Sequence, residues 1–197
     1  MDQNLKLYNL VKAICKFLLK MFFPYEVENL ENLEFNSSGY ILCSNHVSNL
    51  DAIFLMVIHP EPICFLGKSS LFKGKLLSFF FTSMGVVSIN RKTHKNEKSM
   101  KKSENILNAG KVLGIFIEGT RSDAGKFLRP HLGTALLAQN TKKPILPVCI
   151  TGFKKNNRIK IFKKTKICYG KMLENLNFTN LKNSSKVIMD NIKSLRS

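Results

Sequence analysis

A histidine and an aspartate five positions apart, His46 and Asp51, are the first side chains in this chain that could perform proton-transfer chemistry. Both belong to a polar segment, residues 44–51, that follows the short apolar run 39–43, and such a run is typical of a buried strand. Residues five apart on one α-helix point about 140° away from each other. The two side chains can therefore meet only if His46 lies on a loop and Asp51 lies in a following helix.

The residues after His46 predict such a helix. Ser48 and Asp51 have the spacing of an N-terminal capping signature, and the apolar run 52–58 continues it. A carboxylate in the first turn could hold one imidazole nitrogen and leave the other to act as a general base. Taken alone, the motif also fits a helix-capping Asp51 beside an ordinary loop histidine, because a single short motif is common by chance.

Composition predicts one globular domain and anionic partners. The 197 residues are 44% hydrophobic and 22% charged, enough to bury a core, and the formal net charge is +18. Such a charge favours phospholipid headgroups, phosphate-bearing substrates, an acidic carrier protein or nucleic acid. The five cysteines are scattered without a Cys-x-x-Cys pair, so we expect reduced thiols and no metal site.

Residues 5–23 predict an amphipathic helix, which Pro24 ends. Lys12, Lys16 and Lys20 fall on one narrow face, and apolar side chains cover much of the remainder. The pattern favours a helix lying in a membrane interface, because repeated lysines do not suit a spanning segment. The alternative is a helix packed on the protein's own core with a solvated basic edge. We accordingly divide the chain into 1–24, a membrane-interface helix, and 25–197, the globular domain.

Strand-like and helical patterns alternate along the rest of the chain, which predicts an α/β fold. A single domain with a central mixed, mostly parallel sheet flanked by helices is expected. Residues 26–38 are interpreted as a connector. Strands are predicted at 39–43, 63–67, 85–89, 112–117, 144–150, 159–162 and 166–170, and helices at 51–58, 76–84, 92–111, 132–139 and 181–195.

Several predicted strands end in residues that could bind a phosphate. Lys68 and Arg91 each follow one strand, and residues 118–121, Glu-Gly-Thr-Arg, follow another. In open α/β sheets, ligands bind outside the carboxyl ends of strands, where His46 and Asp51 are also expected. The set suits a phosphate-bearing substrate whose hydroxyl group must lose a proton.

These motifs resemble those of the glycerolipid acyltransferases, most closely the 1-acylglycerol-3-phosphate acyltransferase branch. Residues 45–51 match Asn-His-x4-Asp, 85–91 match a Gly-led apolar strand ending in Arg, and 144–148 match an apolar run containing proline. Residues 116–122 match Phe-Pro-Glu-Gly-Thr-Arg-Ser, except that Ile117 replaces proline. Phe127 and Gly133 also lie where the family usually has an aromatic residue and a glycine. The resemblance covers residues 40–152, and four motifs in register are far more specific than one.

The resemblance implies acyl transfer to the free sn-2 hydroxyl of 1-acylglycerol 3-phosphate, which makes phosphatidic acid in phospholipid biosynthesis. His46 would be the general base, oriented by Asp51. Arg91 and Arg121 would grip the phosphate, aided by Lys68. Glu118 would orient an arginine or a substrate hydroxyl. Backbone N–H groups around Gly119 and Thr120 are candidate donors to the oxyanion.

The resemblance also sets the expected partners. The acyl donor would be a thioester of coenzyme A or of acyl carrier protein, and we expect neither a cofactor nor a metal. A lysophospholipid acceptor places the protein peripherally or monotopically on the anionic, cytoplasmic face of a membrane.

The sequence leaves other functions open. Another acceptor, such as glycerol 3-phosphate, a lyso-ornithine lipid or another lysophospholipid, would use the same fold. A membrane-peripheral scaffold with an inactive site would also share it, although every catalytic residue type is present. A nucleic-acid-binding protein would fit the charge alone, but the chain shows no helix-turn-helix, zinc-finger or RNA-binding aromatic pattern.

Overall fold

The computed structural model of the chain describes residues 3–33, 38–89, 97–123, 126–152, 154–155 and 158–196. Its α-helices are α1 (Leu5–Phe22), α2 (Leu50–Ile58), α3 (Lys75–Ser83), α4 (Glu97–Asn108), α5 (Gly133–Thr141) and α6 (Leu181–Ser194). Its strands are β1 (Tyr25–Glu28), β2 (Ile41–Ser44), β3 (Ile63–Lys68), β4 (Val87–Ile89), β5 (Val112–Phe116), β6 (Ile145–Thr151), β7 (Lys154–Lys155), β8 (Arg158–Ile159) and β9 (Thr165–Tyr169). Two 3-10 turns occur at Leu30–Asn32 and Ser69–Phe72.

A seven-stranded sheet in the order β1-β9-β6-β2-β5-β3-β4 forms the centre of the molecule. Neighbouring strands from β6 to β4 are parallel, β9 is antiparallel to β6, and β1 is parallel to β9. At the centre, Ser44 of β2 is in register with Phe116 of β5 and Val148 of β6. The predicted α/β fold with a mixed, mostly parallel sheet is therefore confirmed.

Helices cover both faces of the sheet, so the central strands are buried on both sides, and β2 is buried along its whole length. One hydrophobic core lies under α1, α2 and α3, and includes Tyr8, Phe54 and Met84. The other lies under α4, α5 and α6, and includes Leu107, Leu137 and Ile188. The two layers explain why the central strands consist of uninterrupted apolar runs.

Helix α1 packs on the core and also exposes apolar side chains. Tyr8 and Leu19 are buried, and the Tyr8 hydroxyl accepts a hydrogen bond from the backbone N–H of Ile63, 3.1 Å away. The outward side keeps six large apolar side chains exposed, Leu5, Leu10, Ile14, Phe17, Leu18 and Met21. The packing of this helix on the protein's own core is therefore observed, and its position in a membrane interface stays a prediction. Within the described residues, no helix combines the length and apolar character needed to cross a bilayer.

The predicted lysine face of α1 is split by the packing. Lys16 and Lys20 are exposed, but Lys12 turns inward, and its ammonium group donates to the backbone carbonyl of His59. Burial lowers the pKa of Lys12. The three lysines lie on one face of the helix as predicted, but the carbonyl at the end of α2 gives Lys12 a partner and leaves only Lys16 and Lys20 exposed.

Two short elements differ from the prediction. Strand β1 lies in the segment interpreted as a connector, and as an edge strand it shows little apolar patterning: Glu26 and Glu28 pair with Lys164 and Lys166 at 2.7 and 2.8 Å. The strand predicted at 159–162 ends after Ile159. The chain turns there, and Phe162 adopts a left-handed conformation with φ of 61°.

Candidate active site

The candidate site lies at the edge of the sheet where the parallel strands end. β2 ends at Ser44 and β5 at Phe116, and the backbone N–H of Ile117 donates to the Ser44 carbonyl at 3.1 Å. The segments after these two strands therefore leave the sheet side by side. They carry His46 on one and Glu118 on the other, as the predicted topology requires.

His46 and Asp51 meet as the spacing predicts. His46 lies on the loop after β2, Asp51 lies in the first turn of α2, and His46 Nδ1 is 2.8 Å from Asp51 Oδ2. The same carboxylate oxygen accepts the backbone N–H groups of Val47 and Ser48 at 2.7 and 2.8 Å. Asp51 is completely buried, whereas the His46 side chain is 14% exposed. The carboxylate is therefore fixed from three directions, and the imidazole still reaches solvent.

The contact through Nδ1 determines which ring nitrogen can act. A neutral imidazole carries one proton, and a carboxylate at Nδ1 favours the tautomer with that proton on Nδ1. The lone pair then lies on Nε2, the nitrogen pointing away from Asp51. His46 thus has the geometry of a general base with an orienting acid.

An aromatic stack fixes the plane of the His46 ring. The ring lies on Phe116 with centroids 4.0 Å apart and an interplanar angle of 12°, and Phe65 lies beside Phe116 at 6.0 Å and 13°. Sequence reasoning placed Phe116 at the end of a strand and at the start of a matched motif but gave its side chain no role, and so missed this contact. Its position in the Phe-x-Glu-Gly-Thr-Arg-Ser motif was the available signal.

Three residues from two other segments hold the backbone of the His46 loop. The Asn45 amide donates to the Ile150 carbonyl at 2.9 Å and accepts the Ile150 N–H at 2.8 Å. The His46 carbonyl accepts both the N–H and the hydroxyl of Ser122, at 2.8 and 3.1 Å. The His46 N–H points to Glu118 Oε1 at 3.4 Å. The loop is therefore tied to β6 and to the segment after β5.

Glu118 lies beneath this loop and is buried. Burial raises the pKa of Glu118, and hydrogen bonds from the Leu128 and His46 backbones oppose that rise. The predicted partner of Glu118 was an arginine or a substrate hydroxyl. The structure instead directs its carboxyl group at the backbone of the residue that carries the base.

The chain turns at Gly119, so that the Glu118 side chain points inward and the Thr120 side chain points outward. Its φ is +63°, and a Cβ atom here would lie 2.7 Å from the His131 ring, so both backbone and space favour glycine. The Gly119 N–H donates to the Phe116 carbonyl at 3.0 Å. That N–H group already has a partner, which removes it from the candidate oxyanion donors.

Two of the predicted phosphate ligands, Lys68 and Arg121, lie on the exposed rim of this edge, and so does Thr120, whose backbone N–H was a candidate oxyanion donor. Thr120, Arg121 and Lys68 are exposed, the first two directly after the Gly119 turn and Lys68 at the end of β3. Arg91 lies outside the described residues. The structure thus brings His46, Asp51, Glu118 and Gly119 together, with Thr120 and Arg121 beside them. Among the described residues, no cluster of three His, Cys, Asp or Glu side chains could hold a metal ion.

A second histidine reaches the rim from a segment to which sequence reasoning gave no role. His131 is exposed, its ring lies against Gly119, and its backbone N–H donates to the Ile117 carbonyl at 2.9 Å. Lys126 and Arg129 are exposed on the same segment. The basic composition of residues 126–131, just after the Glu-Gly-Thr-Arg motif, was the signal that could have found it.

Named proteins from other organisms are similar in sequence to much of this chain. A 1-acyl-sn-glycerol-3-phosphate acyltransferase from Helicobacter pylori is 33% identical over 144 residues, which cover 72% of this chain and 59% of that protein. The chain therefore spans less than two thirds of the length of this relative. The protein of the same name from Bacillus subtilis is 26% identical over 182 residues, covering 92% of this chain and 89% of that protein.

A solved structure and a family model agree with these relatives. The crystal structure of the 1-acyl-sn-glycerophosphate (LPA) acyltransferase PlsC from Thermotoga maritima superposes with a TM-score of 0.72 at 22% identity, covering 100% of this chain and 84% of that chain, and this likeness shows the fold. The Acyltransferase family model matches residues 24–151, the region that contains the His46–Asp51 pair and the 118–122 turn. The chain belongs to the Acyltransferase family.

Proposed function

We propose that this protein transfers an acyl group from a thioester to the free sn-2 hydroxyl of 1-acylglycerol 3-phosphate, producing phosphatidic acid. The observation that carries the proposal is the His46–Asp51 pair, joined at 2.8 Å at the carboxyl edge of the sheet. Membership of the Acyltransferase family and the names of the Helicobacter and Bacillus relatives support the reaction and the acceptor.

The chemistry needs one base and no covalent intermediate on the enzyme. Nε2 of His46 takes the proton of the acceptor hydroxyl as its oxygen bonds to the thioester carbonyl carbon. Asp51 stabilises the imidazolium that forms. When the tetrahedral intermediate collapses, the carbon–sulfur bond breaks and the imidazolium returns the proton to the departing thiolate. His46 is thus ready for the next cycle.

Glu118 acts in this scheme as a positioning residue. Its carboxyl group is buried under the loop and faces the backbone N–H of His46, away from the exposed rim where a substrate would enter. It holds the base in place together with Ser122, which binds the His46 carbonyl.

The substrate phosphate binds to the basic rim. Arg121 is exposed beside the Gly119 turn and has the planar fork that suits phosphate oxygens. Lys68 adds positive charge at the end of β3, and Arg91 belongs to the same proposed set on sequence grounds. His131, placed against Gly119, joins them as a nearby donor.

The proposed reaction takes place at a membrane surface, on its cytoplasmic face. The acceptor carries a long acyl chain and resides in the bilayer. The exposed apolar side of α1, with Lys16 and Lys20 also exposed, fits a helix lying in the headgroup region. The acyl donor is a thioester of coenzyme A or of acyl carrier protein. A positively charged protein attracts either one, since the coenzyme carries phosphates and the carrier is acidic.

A comparison of acceptors tests the proposal. Purified protein is given one acyl-coenzyme A in mixed micelles with 1-acylglycerol 3-phosphate, glycerol 3-phosphate, a lyso-ornithine lipid or lysophosphatidylcholine. We expect phosphatidic acid to form at least about tenfold faster than any other product, because only its precursor combines a phosphate monoester, a free sn-2 hydroxyl and an acyl chain. Faster acylation of another acceptor would overturn the assignment of the substrate. Repeating the assay with acyl carrier protein identifies the donor.

A further inference from the structure

The segment between β3 and β4 displays large apolar side chains to solvent. Leu76 is 81% exposed and Phe79 is 66% exposed on α3, and Leu77 and Leu71 are also exposed. Leu71 belongs to the 3-10 turn Ser69–Phe72, which precedes α3. We call these four side chains the α3 patch. Such a concentration of exposed apolar surface over nine residues marks an interaction site rather than ordinary surface.

The α3 patch lies at the same edge of the sheet as the candidate active site. Strand β3 runs parallel to β5 and ends at Lys68, and the 3-10 turn follows immediately. α3 then returns toward the opposite edge, where the Ser83 carbonyl accepts the backbone N–H of Asn4 at 2.9 Å. The amino-terminal half of α3, which carries Leu76, Leu77 and Phe79, is therefore its part nearest to the edge where His46 lies.

The chain segment that carries the α3 patch contains basic side chains and no acidic ones. Lys68, Lys73 and Lys75 are exposed beside it, and residues 62–96 contain no aspartate or glutamate. Apolar side chains bordered by lysines are the composition of segments that bind anionic bilayers, where the lysines stay at the headgroups and the apolar groups enter below them. The patch thus complements an anionic lipid surface in both charge and polarity.

The helices on the two faces of the sheet differ in how many large apolar side chains they expose. In the described residues, α4, α5 and α6 on the opposite face contribute only Val187 to the exposed large apolar side chains. The face that carries α3 also carries the exposed side of α1. The amino end of α1 joins the end of α3 through the Asn4–Ser83 bond and through a bond from the Gln3 amide to the Met84 carbonyl at 3.2 Å. Among the helices of the described residues, the exposed apolar side chains are therefore concentrated on one face.

We propose that the α3 patch inserts into the headgroup region of an anionic phospholipid bilayer and presents the active-site edge to the lipid acceptor. The inference rests on the proposed function for its choice of a bilayer as partner. It adds to that function a second membrane contact, separate from α1 and next to the catalytic edge. An acidic protein such as acyl carrier protein would complement the charge of the lysines. Its polar surface, however, would not bury four protruding apolar side chains.

A tryptophan reporter tests insertion directly. The chain contains no tryptophan, so the Phe79→Trp variant carries a single one. With vesicles of phosphatidylglycerol, we expect its emission to move to shorter wavelength and to be quenched by lipids brominated on their acyl chains. The matched Val187→Trp variant, on the opposite face, should show neither change. Unchanged emission from Phe79→Trp with vesicles that bind the protein would overturn the proposal, and so would a response to acyl carrier protein alone.

Removal of the patch tests its contribution to binding and turnover. We expect the double variant Leu76→Ser, Phe79→Ser to bind phosphatidylglycerol vesicles at least about tenfold more weakly, because two large apolar side chains no longer leave water. Val187→Ser should bind as the wild type does. The ratio of turnover on bilayer-embedded acceptor to turnover on a dissolved short-chain acceptor should fall about tenfold in the double variant.

These measurements separate the patch from the reaction. Vesicle binding and tryptophan emission require no turnover, so an error in the proposed substrate leaves both readouts intact. Equal vesicle binding by the double variant and the wild type, with an unchanged turnover ratio, would refute the α3 patch while leaving the acyl-transfer proposal standing.

Discussion

The imidazole of His46 is held by two different kinds of contact, a charged hydrogen bond at one nitrogen and a stacked ring on one face. Asp51 fixes Nδ1 at 2.8 Å, and Phe116 fixes the plane of the ring at a centroid distance of 4.0 Å. Because the ring is fixed before any substrate arrives, Nε2 can be directed at a hydroxyl without reorganisation. The orienting carboxylate should then matter almost as much as the base.

Replacing Asp51 with asparagine tests the role of the carboxylate. The Asp51→Asn variant keeps the size of the side chain but loses the charge that stabilises the imidazolium and favours the tautomer protonated at Nδ1. We expect kcat to fall at least about a hundredfold. Thermal unfolding of the variant serves as the control for folding. Turnover within about twofold of the wild type would show that Asp51 only caps α2.

Glu118 makes a prediction about pH and stability. Burial raises the pKa of Glu118 above its usual value of 4.5, so the folded protein holds this proton more tightly than the unfolded chain does. The resulting stabilisation is complete below about pH 4.5 and is lost as the pH rises through the raised pKa.

The Glu118→Gln variant removes this titration but keeps an oxygen for the His46 N–H. We measure the free energy of unfolding in urea between about pH 4.5 and about pH 8. As the pH rises, the wild type should lose stability that the variant keeps, so the free energy of unfolding of the variant should increase relative to that of the wild type. The matched control is Asp123→Asn, which removes a carboxylate from an exposed position on the same segment. A difference that does not vary with pH would contradict the assignment of a raised pKa to Glu118.

The side-chain amide of Asn45 continues the hydrogen bonding between β2 and β6 one residue beyond the end of β2. It makes two hydrogen bonds with the backbone of Ile150, and all of these groups are buried. The bond pair fixes the point at which the chain leaves the sheet, one residue before His46. The strand therefore positions the base through its neighbour.

Replacing Asn45 with alanine should weaken both the fold and the reaction. The Asn45→Ala variant leaves the N–H and carbonyl of Ile150 buried without these partners, which should cost roughly 2–4 kcal/mol in the free energy of unfolding. Turnover should fall as well, because the His46 loop loses its tie to β6. Exposed Asn140 is the comparison, and Asn140→Ala should cost less than about 0.5 kcal/mol. Equal stability of the two variants would show that the Asn45 bonds do not support the loop.

Most elements of this fold could be predicted because its parallel strands are buried on both faces. Such strands are short, continuous apolar runs, and the runs at β2, β3, β5 and β6 were found close to their observed bounds. Strand β1 was missed because it lies at the edge, where alternating glutamates pair with lysines. Apolar patterning cannot find a strand that is stabilised largely by its neighbour.

The candidate site was predictable to the extent that it depends on local spacing. His46 and Asp51 lie five positions apart, so capping geometry predicts their meeting. The inward direction of Glu118 depends on the positive φ of Gly119. The position of His131 beside the site depends on the hydrogen bond from its backbone N–H to the Ile117 carbonyl. A backbone angle and a contact across 14 positions are outcomes of folding, and neither has a signature in the order of residues.

At the scale of the whole molecule, the charge of +18 and the apolar face act together. In the membrane association proposed above, electrostatic attraction would bring the protein to an anionic surface, and the exposed side chains of α1 and of the α3 patch would then enter it. Only the first of these contributions depends on salt.

Salt should therefore weaken membrane binding without abolishing it. Raising the salt concentration from about 0.1 M to about 1 M shortens the Debye length from about 10 Å to about 3 Å. We expect binding to phosphatidylglycerol vesicles in a flotation assay to weaken at least about tenfold over this range. Binding to phosphatidylcholine vesicles should change little. The same salt response with both lipids would show that the charge does not direct the protein to the membrane.

If His46 is the general base of an acyl transfer, removal of its imidazole must abolish most of the turnover. Wild-type protein and the His46→Ala variant are assayed with acyl thioester and 1-acylglycerol 3-phosphate in mixed micelles, after equal thermal unfolding has confirmed that the variant folds. We predict phosphatidic acid formation by the wild type and a loss of at least about a hundredfold in the variant. Full activity in His46→Ala would contradict the mechanism proposed for this protein.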